Sequence, residues 1–158
     1  MKLFHGSNTV ISTIDFSKCK PYKDFGQGFY LTEIEKQAVL MAKRTASIYG
    51  GESIISVFEF NKEAALNDPS LAIKLFENPD EEWALFVMSN RNREQSYPVH
   101  KYDIVIGPVA DDRIATLFRN FDDEIIDLPT LVTGLRYKKI SSQYFFRSQA
   151  ASAYLKVL

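Results

Sequence analysis

A single cysteine, Cys19, stands among the 158 residues, so neither an intramolecular disulfide framework nor a cysteine-based metal cluster can form. Histidine is almost as scarce. His5 and His100 lie far apart in the chain and cannot close a metal's first shell, so no metal is expected, carboxylate sites aside. A formal net charge of −1 supplies no overall field to draw the protein to nucleic acid or to an anionic membrane. No segment approaches the ~20 apolar residues of a membrane span, and Met1-Lys2-Leu3-Phe4-His5-Gly6 has no apolar stretch behind it. Neither a span nor a signal peptide is therefore expected, and a reducing cytoplasm is the expected compartment. Internal repeats, low-complexity runs and linkers are missing as well.

What is present is ordinary globular material. Hydrophobic residues make up 46% and charged residues 25%, which argues against disorder, and the length suits one domain over residues 1–158 with a real core. Residues 2–5 read as a short strand with His5 at its end, after which Gly6-Ser7-Asn8 turns the chain into a polar loop over 12–23. From Glu33 to Tyr49 the positions of Ile34, Ala38, Met41, Ala42 and Tyr49 predict one buried side of a helix, stopped by Gly50-Gly51 and capped at its start by Thr32. Ser53 to Phe60 reads as a strand, and Leu71 to Phe76, between Pro69 and Pro79, reads as either a strand or a helix turn, with strand favoured.

Asp80 caps the next predicted helix, whose Trp83, Phe86, Val87 and Asn90 repeat at helical spacing, so that a polar Asn90 shares the aromatic face. Tyr102 to Val109 predicts an apolar strand, Asp111-Asp112 a helix opening with Ile114, Leu117, Phe118 and Phe121 on one face, and Asp127 to Leu135 a further helix. In the strand Ser142 to Phe146, Gln143 and Phe145 point to one face and Tyr144 and Phe146 to the other. Ser148 caps a short helix, and Leu155 to Leu158 closes the sheet.

The stretch Asp24-Phe25-Gly26-Gln27-Gly28-Phe29-Tyr30-Leu31-Thr32 joins a loop to a buried strand through two glycines, which permit backbone angles or a close approach that a Cβ would forbid. Together with Phe4-His5-Gly6-Ser7 it resembles the first two signatures of the ADP-ribosyltransferase fold, in the His-Tyr class of diphtheria-type toxins and poly-ADP-ribose polymerases. Within that superfamily the chain most resembles a smaller family of bacterial proteins, DUF3990. The resemblance implies an α+β fold, a split mixed β-sheet core flanked by helices, with NAD as co-substrate.

Cleaving the N-glycosidic bond of NAD leaves an oxocarbenium-like ribosyl centre, so a catalyst must hold the dinucleotide bent and stabilise developing positive charge. Carried over from the family resembled, His5 binds the adenine-side ribose, the backbone of Gly6 grips the nicotinamide carboxamide, Ser7 completes the triplet, Gly28 lies at the cofactor, and Tyr30 packs on the nicotinamide ring. The third signature of the fold is a glutamate on a late strand. Here the matching residue is Gln143, which can accept a hydrogen bond from a ribose hydroxyl but carries no charge and cannot act as a base. The resemblance makes this a His-Tyr-Gln variant with His5, Tyr30 and Gln143 as catalytic residues. Another carboxylate would have to help, with Glu33, Asp103, Asp111 and Asp112 as candidates. The smaller family also shows Trp-x-x-Phe-x-x-x-Asn-Arg, here ending in Asn90 and Arg91, and an arginine can meet a pyrophosphate bidentately.

Three readings follow. The first is a mono-ADP-ribosyltransferase acting on a macromolecular target, as the toxin of a bacterial toxin–antitoxin or defence module, with a small antitoxin protein as partner. A second keeps the fold as an inactive module that binds NAD, ADP-ribose or a protein. In the third, the chain is an NAD-consuming enzyme similar to the RNA 2′-phosphotransferases, which would use Arg91, Arg93, Arg136 and Arg147 around a phosphate. The acceptor, protein or nucleic acid, is not legible.

Overall fold

The computed structural model describes residues 1–96, 98–136 and 140–158. Its strands are β1 (Lys2–Ser7), β2 (Phe29–Thr32), β3 (Ile54–Phe60), β4 (Ile73–Leu75), β5 (Ile104–Pro108), β6 (Ser142–Phe146) and β7 (Leu155–Val157). Between them run the helices α1 (Glu35–Tyr49), α2 (Lys62–Leu66), α3 (Glu81–Arg91), α4 (Asp112–Asp122), α5 (Leu128–Leu135) and α6 (Gln149–Ser152). The strands form one seven-stranded mixed sheet in the order β4-β5-β6-β2-β1-β3-β7, antiparallel except for the β4–β5 pair.

Strand alternation divides the core between the two faces of this sheet. Leu3, Phe29, Leu31, Phe58, Phe60, Ile104, Ile106, Tyr144 and Phe146 point to one face, where Ala65 of α2 and Ala151 of α6 cover them. Val105 and Phe145 point to the other, beneath Trp83, Ala84 and Val87 of α3, Ile114 and Phe118 of α4, and Leu131 and Leu135 of α5. The second face also carries α1, because Gly6 alternates with Leu3 and His5, and its missing side chain lets the α1 backbone come down on β1. A Cβ there would stand 1.9 Å from the Ala38 carbonyl oxygen and 2.7 Å from the Ala42 nitrogen. On this face α1 thus lies over β1 and the α3–α5 group over β5 and β6, with β2 running through the trough between them.

Side-chain caps explain where most helices begin. Asp80, Asp111, Asp127 and Ser148 each accept a backbone N–H from the first turn of α3, α4, α5 and α6, as their positions predicted. Helix α1 departs from expectation. Its N-cap is Ile34, without a side-chain bond, and Thr32 acts two residues earlier by accepting the Ile34 N–H at 3.1 Å. Only Ala38 and Ala42 of its predicted apolar side are buried, while Ile34, Met41 and Tyr49 are exposed. The two alanines are small because the helix lies so close to Gly6. Strand β1 runs two residues longer than predicted, since Gly6 and Ser7 continue the ladder with β3 and no turn begins there.

Candidate functional site

Strand β1 pairs with β3 along its whole length, and β2 with β6 along all of its own, but β1 and β2 share only the Phe4–Thr32 register pair. Next to that pair the His5 side chain takes over: its Nδ1–H donates to the Tyr30 carbonyl at 2.8 Å, tying the two strands where the backbone ladder stops. The imidazole ring stacks on Phe29, with centroids 4.3 Å apart. Burial holds the His5 pKa below its usual value, partly offset by the bond to Tyr30. Ser7 is buried and its hydroxyl accepts the Thr9 N–H at 3.1 Å, which orders the turn after β1.

Tyr30, one residue on from Phe29, points to the trough face. Its ring packs edge-on against Phe145, with centroids 5.2 Å apart, and its hydroxyl donates to the Gly26 carbonyl at 2.7 Å while accepting the Phe25 N–H at 3.0 Å. The phenol therefore fixes the glycine loop that precedes its own strand. Gly28 allows β2 to approach β6, since a Cβ there would fall 2.3 Å from the Phe145 ring and 2.6 Å from the Phe146 carbonyl oxygen. Gly6 and Gly28 are thus both accounted for by close packing.

Gln143 sits opposite Thr32 on β6, on the same face as Tyr30 and Phe145. Its Nε2 donates to Asp24 Oδ2 at 2.8 Å and to the Pro108 carbonyl at 3.3 Å. Both amide hydrogens are committed, and the carbonyl oxygen Oε1 is the end of the group without a partner among the described residues. A flipped amide would set that oxygen against two acceptors, which fixes the assignment. Beside Gln143, the Gln37 side chain of α1 accepts from the Thr32 hydroxyl and donates to Ser141, each at 2.6 Å, and so joins the helix to β2 and to the residue just before β6.

Asp24 was not among the carboxylates singled out, yet it is the one that meets Gln143. Its Oδ1 accepts from Arg91 Nε at 2.9 Å and Nη2 at 2.5 Å, and its Oδ2 accepts both Gln143 and the Ala110 N–H at 3.2 Å. The pair is only partly open to water, with side-chain exposures of 13% for Asp24 and 33% for Arg91. Its position just before Phe25-Gly26 was the only signal in the sequence. The four carboxylates that were singled out do other work. Glu33 accepts from the Tyr144 hydroxyl, Asp103 accepts the Ala72 N–H, Asp111 caps α4 and pairs with Arg113, and Asp112 stands in the first turn of that helix.

The structure brings Tyr30, Gln143, Arg91 and Asp24 to the trough face and turns the His5 ring to the other face, linked through the Tyr30 carbonyl. Asn90 is 1% exposed, donates back to the Phe86 carbonyl at 2.8 Å, and leaves a buried Oδ1 without a partner among the described residues. The Nε–Nη2 edge of Arg91 would have to exchange Asp24 for a phosphate in order to bind one there. Two of the other arginines of the phosphate reading are engaged elsewhere: Arg147 donates to the His100 and Lys101 carbonyls, and Arg93 lies over the Tyr22 ring.

His100 is half-buried against Phe86 and Phe145. Its Nε2–H donates to the Phe25 carbonyl at 2.7 Å and its Nδ1 accepts the Tyr102 N–H at 3.1 Å. Burial, together with the nearby Arg147 charge, lowers its pKa against the raising effect of the Phe25 bond. No group of three or more His, Cys, Asp or Glu side chains able to hold a metal occurs among the described residues, and none of their helices is long and apolar enough to cross a membrane.

No curated protein and no solved structure matches the chain. Residues 1–157 match the family described as "Protein of unknown function (DUF3990)", and the chain belongs to that family.

Proposed function

We propose that the protein is an NAD-dependent mono-ADP-ribosyltransferase that binds the nicotinamide half of NAD in the trough between α1 and the α3–α5 group. The observation that carries this reading is the Gln143 amide, anchored through both hydrogens with Oε1 left as an acceptor. A ribose 2′-hydroxyl is a donor of the kind that oxygen is set to receive. Tyr30, on the neighbouring strand and the same face, offers a ring whose position is fixed by its hydroxyl bonds. The resemblance of His5-Gly6-Ser7 and Gly28-Phe29-Tyr30 to the first two signatures of the ADP-ribosyltransferase fold supports the same assignment. His5 then serves by holding β1 and β2 together at the site.

With an amide at the third position, the ribosyl cation is met by oriented dipoles and not by a carboxylate, so it is stabilised less strongly. The acceptor must bring its own nucleophilicity. The proposed setting is the bacterial cytoplasm, as the toxin of a toxin–antitoxin or defence module neutralised by a small partner protein.

The test is direct. NAD is expected to raise the melting temperature of the purified protein, and nicotinamide is expected to appear when an acceptor-containing lysate is added. Gln143→Ala is expected to weaken both effects and to relieve the growth arrest that expression is expected to cause. A folded protein whose melting temperature does not respond to NAD, and which releases no nicotinamide, would end this reading.

A second reading, an inactive NAD- or ADP-ribose-binding module, is favoured by one observation: the carboxylate nearest Gln143 is already neutralised by Arg91. It is recognised by a rise in melting temperature with no nicotinamide released.

A further inference from the structure

We propose that Asp24 is the positioning residue of this site, setting the Gln143 amide for a hydroxyl-bearing ligand of the ribose class while it holds the Nε–Nη2 edge of Arg91. The ligand class rests on the proposed function; the positioning rests on the hydrogen-bond geometry alone.

An unrestrained glutamine amide at a half-buried position can present either its oxygen or its NH₂ group. Ligand hydroxyls can bond to both, so such a residue selects poorly. Asp24 removes the choice. Its Oδ2, 2.8 Å from Gln143 Nε2, is a charged acceptor that only the NH₂ end can meet, and the Ala110 N–H at 3.2 Å fixes that same oxygen in place. Pro108 takes the remaining hydrogen. A bond to a charged acceptor is roughly twice as strong as a neutral one, so the carboxylate dominates the orientation.

The other oxygen of Asp24 is held by Nε and Nη2 of Arg91. This fork aims the carboxylate, and it occupies the Nε–Nη2 edge of the guanidinium, one of the two edges that can take a phosphate bidentately. Gln143 thereby gains a fixed direction from a charge that does not itself reach the ligand. Sequence distance conceals the arrangement, because Asp24 lies 67 residues from Arg91 and 119 from Gln143.

Two substitutions separate the functions of this carboxylate. Asp24→Asn can keep a carbonyl oxygen toward Gln143 and Ala110 while turning an NH₂ group at Arg91, so it frees the arginine and leaves the amide set. Asp24→Ala frees both. The side-chain NH₂ of Gln143 is followed by NMR, with ¹⁵N-glutamine labelling and assignment by its loss in Gln143→Ala. In the unaltered protein and in Asp24→Asn the NH₂ signals are expected to be protected from solvent exchange. In Asp24→Ala they are expected to exchange at least about tenfold faster, because that variant has lost the dominant acceptor. Unchanged protection in a folded Asp24→Ala protein would overturn the proposal, as would equal loss of protection in the two variants.

The kinetic arm uses nicotinamide release. If Asp24 acts through Gln143, Asp24→Ala and Gln143→Ala lower kcat by similar factors, and the doubly substituted protein is no slower than either alone. Effects that multiply would show that Asp24 acts elsewhere, and would overturn its role as a positioning residue. Protection that depends on Asp24 in a protein indifferent to NAD would leave the positioning standing and remove the NAD reading instead.

Discussion

Tyr30 shows how one side chain can serve the fold and the site together. Its hydroxyl closes the loop at Phe25 and Gly26, while its ring lies against Phe145 on the face that carries Gln143. Tyr30→Phe keeps the ring and removes both hydroxyl bonds. It is expected to cost about 1–3 kcal/mol, the usual range for leaving buried partners unpaired, as measured by urea denaturation. If the ring is what meets nicotinamide, this variant still responds to NAD, whereas Tyr30→Ala does not. Gly6 cannot be probed in the same way. A methyl group at that position meets the α1 backbone at 1.9 Å, so a Gly6→Ala protein reports on folding before it reports on any ligand.

At the scale of elements, both histidines act as ties where the backbone ladder stops or does not reach. His5 holds β1 to β2, and His100 holds the Phe25 carbonyl to the segment ahead of β5. Each has its pKa lowered from 6.5 by burial, so in acid the unfolded chain takes up protons more readily than the folded one. Stability is then fully present above the unfolded value and is lost as the pH falls through the lower, folded values. Protonation of His100 also removes the acceptor for the Tyr102 N–H. The melting temperature is expected to fall between pH 7.5 and pH 5, and to fall less in a His100→Gln protein. An equal fall in that variant would assign the effect to other groups.

Local rules gave the sequence its legible parts at this same scale. Helices α3, α4 and α5 announce themselves by an aspartate followed by apolar spacing, and the alternation in β6 places Gln143 and Phe145 on one face, as the two core clusters bear out. Helix α1 was misread because its burial is set by a glycine on another element, which no helical periodicity can report. The ring of His5 points away from Tyr30 and Gln143 for a similar reason. A strand longer than predicted carries Gly6 inside the ladder, and the alternation counted from that glycine decides the face. Asp24 escaped notice because its side-chain partners are contributed by α3 and β6 and only its place before Phe25-Gly26 marks it locally.

For the molecule as a whole, the sheet decides whether the chain unfolds in one step or in parts. Neighbouring residues of single strands feed opposite clusters: Phe145 of β6 enters one while Tyr144 and Phe146 enter the other, and β5 divides Ile104 and Ile106 from Val105 in the same way. Loosening either layer exposes the strands on which the other rests, so neither layer has an independent core. Urea unfolding is therefore expected to be two-state. Fluorescence of Trp83, buried in the α3–α5 layer, and circular dichroism of the whole backbone should give the same midpoint and the same slope. A Trp83 transition at lower urea would mean that the helical layer dissolves from an intact sheet. Asp24 would then lose Arg91 before Gln143, since α3 would leave while β6 remained.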